Sequence, residues 1–214
     1  MRVALIHGAA TTSRVWRRVV PWLPSDWQVV LPERPATGNL DLEIEHLAPL
    51  CSGAMVVGVS GGATLGLELV SRGVPIAAAL LHEPAVGSFA PGLLNHVADG
   101  LAAGGVAGFG RALYGPFWTS EETEADQAVV EREFAMFGGF HPSPPGPAAA
   151  RVVISTGADS PPARQQSVTR LCEEFGFPQA VVDGCRHAAH LEAPRRFAEM
   201  IVEVAERWVT PVVD

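Results

Sequence analysis

Residues 55–70 read MVVGVSGGATLGLELV. An apolar run ends at Val59, a single serine follows, and from Gly61 onward the apolar residues recur at helical spacing. The stretch therefore predicts a buried strand that passes directly into a helix, with Ser60 at the junction. Gly58, Ser60 and Gly62 form the pattern G-x-S-x-G, whose small residues let a sharp turn pack against its own helix and the next strand. A serine so placed faces the free N–H groups and the positive dipole end of the helix. That position suits an attacking hydroxyl. The same residues would also suit a serine that only caps the helix, and such a serine would bond a first-turn N–H through its side chain.

Working outward, short apolar runs alternate with helical patterns. The predicted strands are Val3–His7, Gln28–Leu31, Ala54–Val59, Ala77–His82, Arg151–Thr156 and Gln179–Val182. They are nearly continuous apolar runs, as expected of parallel strands covered on both faces. The predicted helices are Ser13–Leu23, Leu42–Leu50, Gly61–Arg72, Pro162–Phe175 and Pro194–Trp208. Repeated strand–helix units imply an α/β fold with a doubly wound, mainly parallel six-stranded sheet. Residues 84–147 break the rhythm, with two to four short helices expected and no strand. Placed between two sheet strands, they read as a helical cap within a single domain spanning 1–214. The cap holds six of the nine Phe, the only Tyr and Trp118.

Composition narrows the chemistry. The chain has 214 residues, a formal net charge of −8 and 15 basic residues, all Arg. The acidic balance argues against nucleic-acid binding, and the absence of Lys excludes Schiff-base and P-loop lysines. Cys51, Cys172 and Cys185 show no metal spacing and read as reduced thiols of a cytoplasmic protein. No signal peptide and no membrane span is expected. No metal and no cofactor is expected, and the partner is a small-molecule substrate.

A nucleophilic serine needs a base, and the base needs an orienting acid. After the last strand comes CRHAAHLEAPRRFAEM (185–200), with His187 and His190. After the fifth comes STGADSPP (155–162), with Asp159 in a Gly-rich turn. The order Ser60, Asp159, His187 is the Ser…Asp…His order of α/β-hydrolases. Glu83, after the fourth strand in LLHEPAVG, is a rival acid.

Four motifs make the resemblance explicit. LIHGAATTSRVW (5–16) resembles the His-Gly oxyanion loop of the α/β-hydrolase superfamily, GVSGGA (58–63) its nucleophile elbow, STGADSPP its acid turn, and RHAAHLEAPRRF (186–197) its histidine loop. The resemblance implies a small serine hydrolase with a helical cap. It selects His187 over His190 as the base, because the family's histidine lies five residues before a Glu and seven before a Pro, here Glu192 and Pro194. It implies an oxyanion hole from the N–H groups of Ala9 and Gly61, with His7 bracing the loop. Two departures stand out. Arg186 replaces the family's usual Gly, and the antiparallel hairpin before the first His-Gly strand is missing, so the sheet should be all parallel.

The expected reaction is cleavage of a small carboxylic ester through an acyl-enzyme, with Ser60, His187 and Asp159 as the triad. An acidic, aromatic-rich cap suggests an apolar or neutral substrate, with its acids between 121 and 133 on a solvated helix face. At least one of Phe117, Trp118 and Phe137 should line the cavity above Ser60. The scaffold also hosts lyases, C–C hydrolases, perhydrolases and ligand-binding receptors, so fold alone does not fix the chemistry.

Overall fold

The computed structural model describes residues 1–145 and 151–209. Its centre is a sheet of six strands: β1 (Arg2–Ile6), β2 (Gln28–Val30), β3 (Met55–Val59), β4 (Ala78–His82), β5 (Val152–Gly157) and β6 (Gln179–Val182). Their order is β2-β1-β3-β4-β5-β6, and every neighbouring pair is parallel. No antiparallel strand is present among the described residues, as the sequence led us to expect. The sheet reverses winding direction at β1 and β3, the point where ligands collect in open α/β sheets.

Burial follows position. β3, β4 and β5 are buried along their whole length, which explains why their residues read as unbroken apolar runs. The edge strands β2 and β6 are partly exposed. The helices are α1 (Leu40–Cys51), α2 (Gly61–Ser71), α3 (Asn95–Tyr114), α4 (Gln127–Gly138), α5 (Pro162–Phe175), α6 (Ala189–Glu192) and α7 (Pro194–Val209). α2 packs on β3 and β4, α5 on β5, and α7 on β4. The predicted helix over Ser13–Leu23 is instead two 3-10 turns, Ser13–Arg18 and Val20–Trp22, because Pro21 interrupts the segment.

Between β4 and β5 the described residues contain α3, α4 and three 3-10 turns but no strand. α3 is not one rod. Gly104 and Gly105 leave helical geometry, and Gly105 takes φ 56° and ψ −144°, a conformation that glycine adopts without the strain a Cβ would bring. The two halves fold back on each other so closely that a Cβ on Gly108 would sit 2.0 Å from the carbonyl oxygen of Gly100. The Gly-rich joints in AAGGVAGFG are thus a helical hairpin. Residues 146 and 147, counted in the predicted cap, lie outside the described residues.

All three cysteines are free and buried, and burial pushes the Cys51 and Cys185 thiols up to about 12.

Candidate active site

Ser60 stands between β3 and α2 with φ 58° and ψ −125° and makes no side-chain capping bond. A β-carbon-bearing residue rarely adopts positive φ, and the strain holds its hydroxyl clear of the backbone. The flanking glycines make this possible. A Cβ on Gly58 would lie 2.4 Å from the Gly62 carbonyl oxygen, and one on Gly62 would lie 2.1 Å from that of Ile6. The Ser60 N–H donates to the His82 carbonyl at 3.0 Å, so the turn is anchored to the end of β4.

His187 lies in the turn between β6 and α6, and its ring is buried. Its Nδ1 is 2.9 Å from Glu83 Oε2. Its Nε2 has no hydrogen-bond partner among the described residues. Tyr114 links this ring to the elbow: it stacks on His187 with centroids 5.8 Å apart, and its hydroxyl and the Ser60 Cβ lie on the same side of Gly8.

The carboxylate on His187 is therefore that of Glu83, not of Asp159. Glu83 follows β4 with φ 45° and is fully buried. Its Oε1 accepts from Thr156 Oγ1 (2.8 Å), the Gly157 N–H (2.9 Å) and Ser160 Oγ. Asp159 sits on the exposed turn after β5, and its backbone N–H donates to the Cys185 carbonyl at 3.0 Å. The polar groups of the STGADS turn do face the site, but as donors to Glu83. The sequence led us to expect Asp159 at this histidine; Glu83 stands there instead because a strained backbone (φ 45°), not a motif, aims its side chain.

Electrostatics fit a neutral imidazole. Burial raises the Glu83 carboxyl, but the His187 hydrogen bond and the nearby Arg164 guanidinium outweigh it and hold it well below the usual carboxylate range. Burial, then the Arg164 guanidinium, lowers His187 to about 3. His190 is also buried and held neutral by burial first of all, and packs against Trp16 and Tyr114.

The loop after β1, residues 7–12, is braced on two sides. Arg34, whose side chain is fully buried, donates through Nε to the His7 carbonyl (3.0 Å) and through Nη2 to the Gly8 carbonyl (2.9 Å). It also pairs with Glu43 on α1 (3.2 Å) and Glu133 on α4 (2.5 Å). The cap holds the other side. Tyr114 Oη donates to the Ala9 carbonyl (2.8 Å), Trp118 Nε1 to the Ala10 carbonyl (3.0 Å), and the Thr12 N–H to the Glu122 carbonyl (2.8 Å). Glu122 and Glu133 are fully buried and paired with Arg17 and Arg34, so this acidic run is not only the solvated face its composition suggested.

A small cavity of about 20 Å³ opens at Ser60, bounded by Ala9, Gly61, Leu94, Phe109, Phe137 and Arg164 among others. This is room for about one water. Phe137 lies on Gly61, where a Cβ would meet its ring at 2.6 Å. Of the three predicted aromatics Phe137 lines this cavity. Trp118 is buried beside Gly110, and Phe117 is largely exposed, because the 3-10 turn at 115–117 points it outward. Arg164 and Tyr114 carried no motif in the sequence. Among the described residues no cluster of three or more His, Cys, Asp or Glu could hold a metal, and no helix is long and apolar enough to cross a membrane.

The model of the alpha/beta hydrolase family matches residues 3–200. The chain belongs to that family. It is thus an enzyme, at the coarse level a hydrolase. No curated protein matches this alpha/beta hydrolase. Solved structures share its fold. MenH from S. aureus superposes with a TM-score of 0.73 at 14% identity, covering 98% of this chain and 95% of that one. The enol-lactonase from Burkholderia xenovorans LB400 gives 0.76 at 14% identity, with 95% and 90% covered. A pyrethroid hydrolase from Sphingobium faniae JZ-2 gives 0.66 at 19% identity, with 96% and 97% covered. At these identities the likeness speaks for the fold of this alpha/beta hydrolase and leaves its substrate open.

Proposed function

We propose that this enzyme hydrolyses a small carboxylic ester through an acyl-enzyme, with Ser60 as nucleophile, His187 as general base and Glu83, in place of Asp159, as the orienting acid. The observation that carries the reading is the state of His187. Its Nδ1 is anchored on a buried carboxylate, its Nε2 is left without a protein partner, and Tyr114, which stacks on its ring, lies with Ser60 of the strained elbow against Gly8.

Anchoring Nδ1 on Glu83 fixes the tautomer, so Nε2 is the basic nitrogen. His187 takes the Ser60 proton as the hydroxyl attacks the acyl carbonyl, and Glu83 stabilises the imidazolium that forms. The Gly61 N–H sits in the first turn of α2, without an intrahelical acceptor. With the Ala9 N–H it would hold the oxyanion, each donor worth about 3 kcal/mol. The alcohol leaves with the proton from His187. Water, activated by the same histidine, then releases the acid.

A panel of p-nitrophenyl esters of increasing acyl length, run beside fluorophosphonate labelling, tests the reading. Turnover of a short ester with labelling at Ser60 is expected. A site that neither labels nor turns over any ester overturns it, and labelling with a blank panel points to another reaction of the scaffold.

A further inference from the structure

We infer that Arg164 is a substrate-binding residue that receives a carboxylate, so that the preferred ester is the half-ester of a dicarboxylic acid; this rests on the ester-hydrolase reading above. Arg164 stands in the first turn of α5 and is 5% exposed. It lines the cavity at Ser60 and also a wide groove of about 630 Å³ outside it, so it forms the wall between the two.

The groove has the charge an anion needs. Its cationic or titratable lining residues are Arg164, Arg170 and His96, and no Asp or Glu lines it, in a chain of formal net charge −8. A groove of one sign with low-dielectric walls focuses its field and draws in the opposite charge.

The guanidinium has unused donors. Its one ion pair among the described residues runs from Nε to Glu83 Oε2 at 3.3 Å, and its Nη groups donate no hydrogen bond to a described residue. The planar fork of a guanidinium matches a carboxylate through two parallel N–H···O bonds. Neutralising Glu83 does not account for Arg164. Glu83 already accepts from Thr156, Gly157, Ser160 and His187. A bare cation here also opposes the imidazolium that His187 must become, and it adds to the lowering of that histidine. A substrate carboxylate on Arg164 cancels this opposition when it binds. Leu94, Val97 and Phe109 supply apolar wall for the short carbon chain between the two ends of the acyl group. The neutral substrate suggested by the composition of the cap is thereby replaced.

The test compares p-nitrophenyl hydrogen glutarate with p-nitrophenyl pentanoate, which have equal acyl length. The wild-type enzyme should favour the half-ester at least 10-fold in kcat/KM. In Arg164→Met that ratio should fall roughly 10–100-fold, the worth of a charge-assisted bond, and Arg164→Lys should restore part of it. A wild type that prefers pentanoate, or a ratio unchanged in Arg164→Met, overturns the proposal. Calorimetry of monomethyl glutarate on the Ser60→Ala protein separates the two readings. Binding that weakens more than 10-fold when Arg164→Met is added sustains the carboxylate site even if no ester is hydrolysed. Absence of binding, or binding indifferent to Arg164, overturns it even if the pentanoate ester is turned over.

Discussion

At the residue scale the account turns on which carboxylate serves His187. Glu83→Gln should lower kcat by about 10⁴, because the imidazole loses its charge partner and the preferred tautomer. Asp159→Asn, on an exposed turn, should leave kcat within a few-fold. Steady-state kinetics of the two variants check this, and the reverse pattern would return the acid to β5. His187→Ala should be about as damaging as Ser60→Ala, each removing about 10⁶ of kcat, since they act as a unit. The elbow at Ser60 was legible in the sequence because such a turn demands small residues at fixed spacing. The carboxylate on His187 was not, because either of two turns beside the histidine could supply it. What separates them is the backbone at Glu83 (φ 45°), and nothing in HEP announces it. Arg164 was hidden for a similar reason: SPPARQQ opens a helix like many others, and only the packed fold brings this side chain to the cavity.

At the element scale, the cavity at Ser60 has room for about one water and is bounded by side chains of α3 and α4, so in the proposed reaction these must give way to admit an ester. Phe137→Ala should enlarge the acyl site and change chain-length preference by about 1–3 kcal/mol in kcat/KM. Phe117→Ala should leave the preference unchanged, since that ring is 41% exposed and does not line the cavity. An ester series on both variants checks the contrast. The loop after β1 is tied to α4 by a buried charge, so Glu133→Ala, which takes one of two carboxylates from Arg34 and the acceptor from the Ala10 N–H, should cost about 1–3 kcal/mol in denaturant unfolding. The strands of the sheet were legible almost to the residue, because burial on both faces writes a continuous apolar run. The cap was legible only as an interruption. Its hairpin depends on how closely Gly100 and Gly108 approach, a tertiary fact that local sequence does not carry.

At the scale of the whole molecule, burial of histidines sets the response to acid. His7, His82, His187 and His190 all have side chains buried in the fold, and burial is the first cause that lowers each of them. Below pH 6.5 the unfolded chain takes up protons that the native state refuses, so stability must fall as pH falls, through a window that for His187 extends to about 3. Each such histidine contributes up to about 1.4 kcal/mol per pH unit there. Melting temperatures from pH 7.5 to 5 should therefore decline steadily, whereas a flat profile would mean that these rings are not held neutral. The same neutrality leaves His187 free to take the Ser60 proton in the proposed acyl transfer. Acid quench of the enzyme with p-nitrophenyl hydrogen glutarate or p-nitrophenyl pentanoate during the first turnovers, followed by peptide mass analysis, tests this most directly. The account predicts one acyl group on the peptide that carries Ser60, absent from Ser60→Ala. Turnover with Ser60 unmodified, or acylation elsewhere that supports turnover, would contradict it.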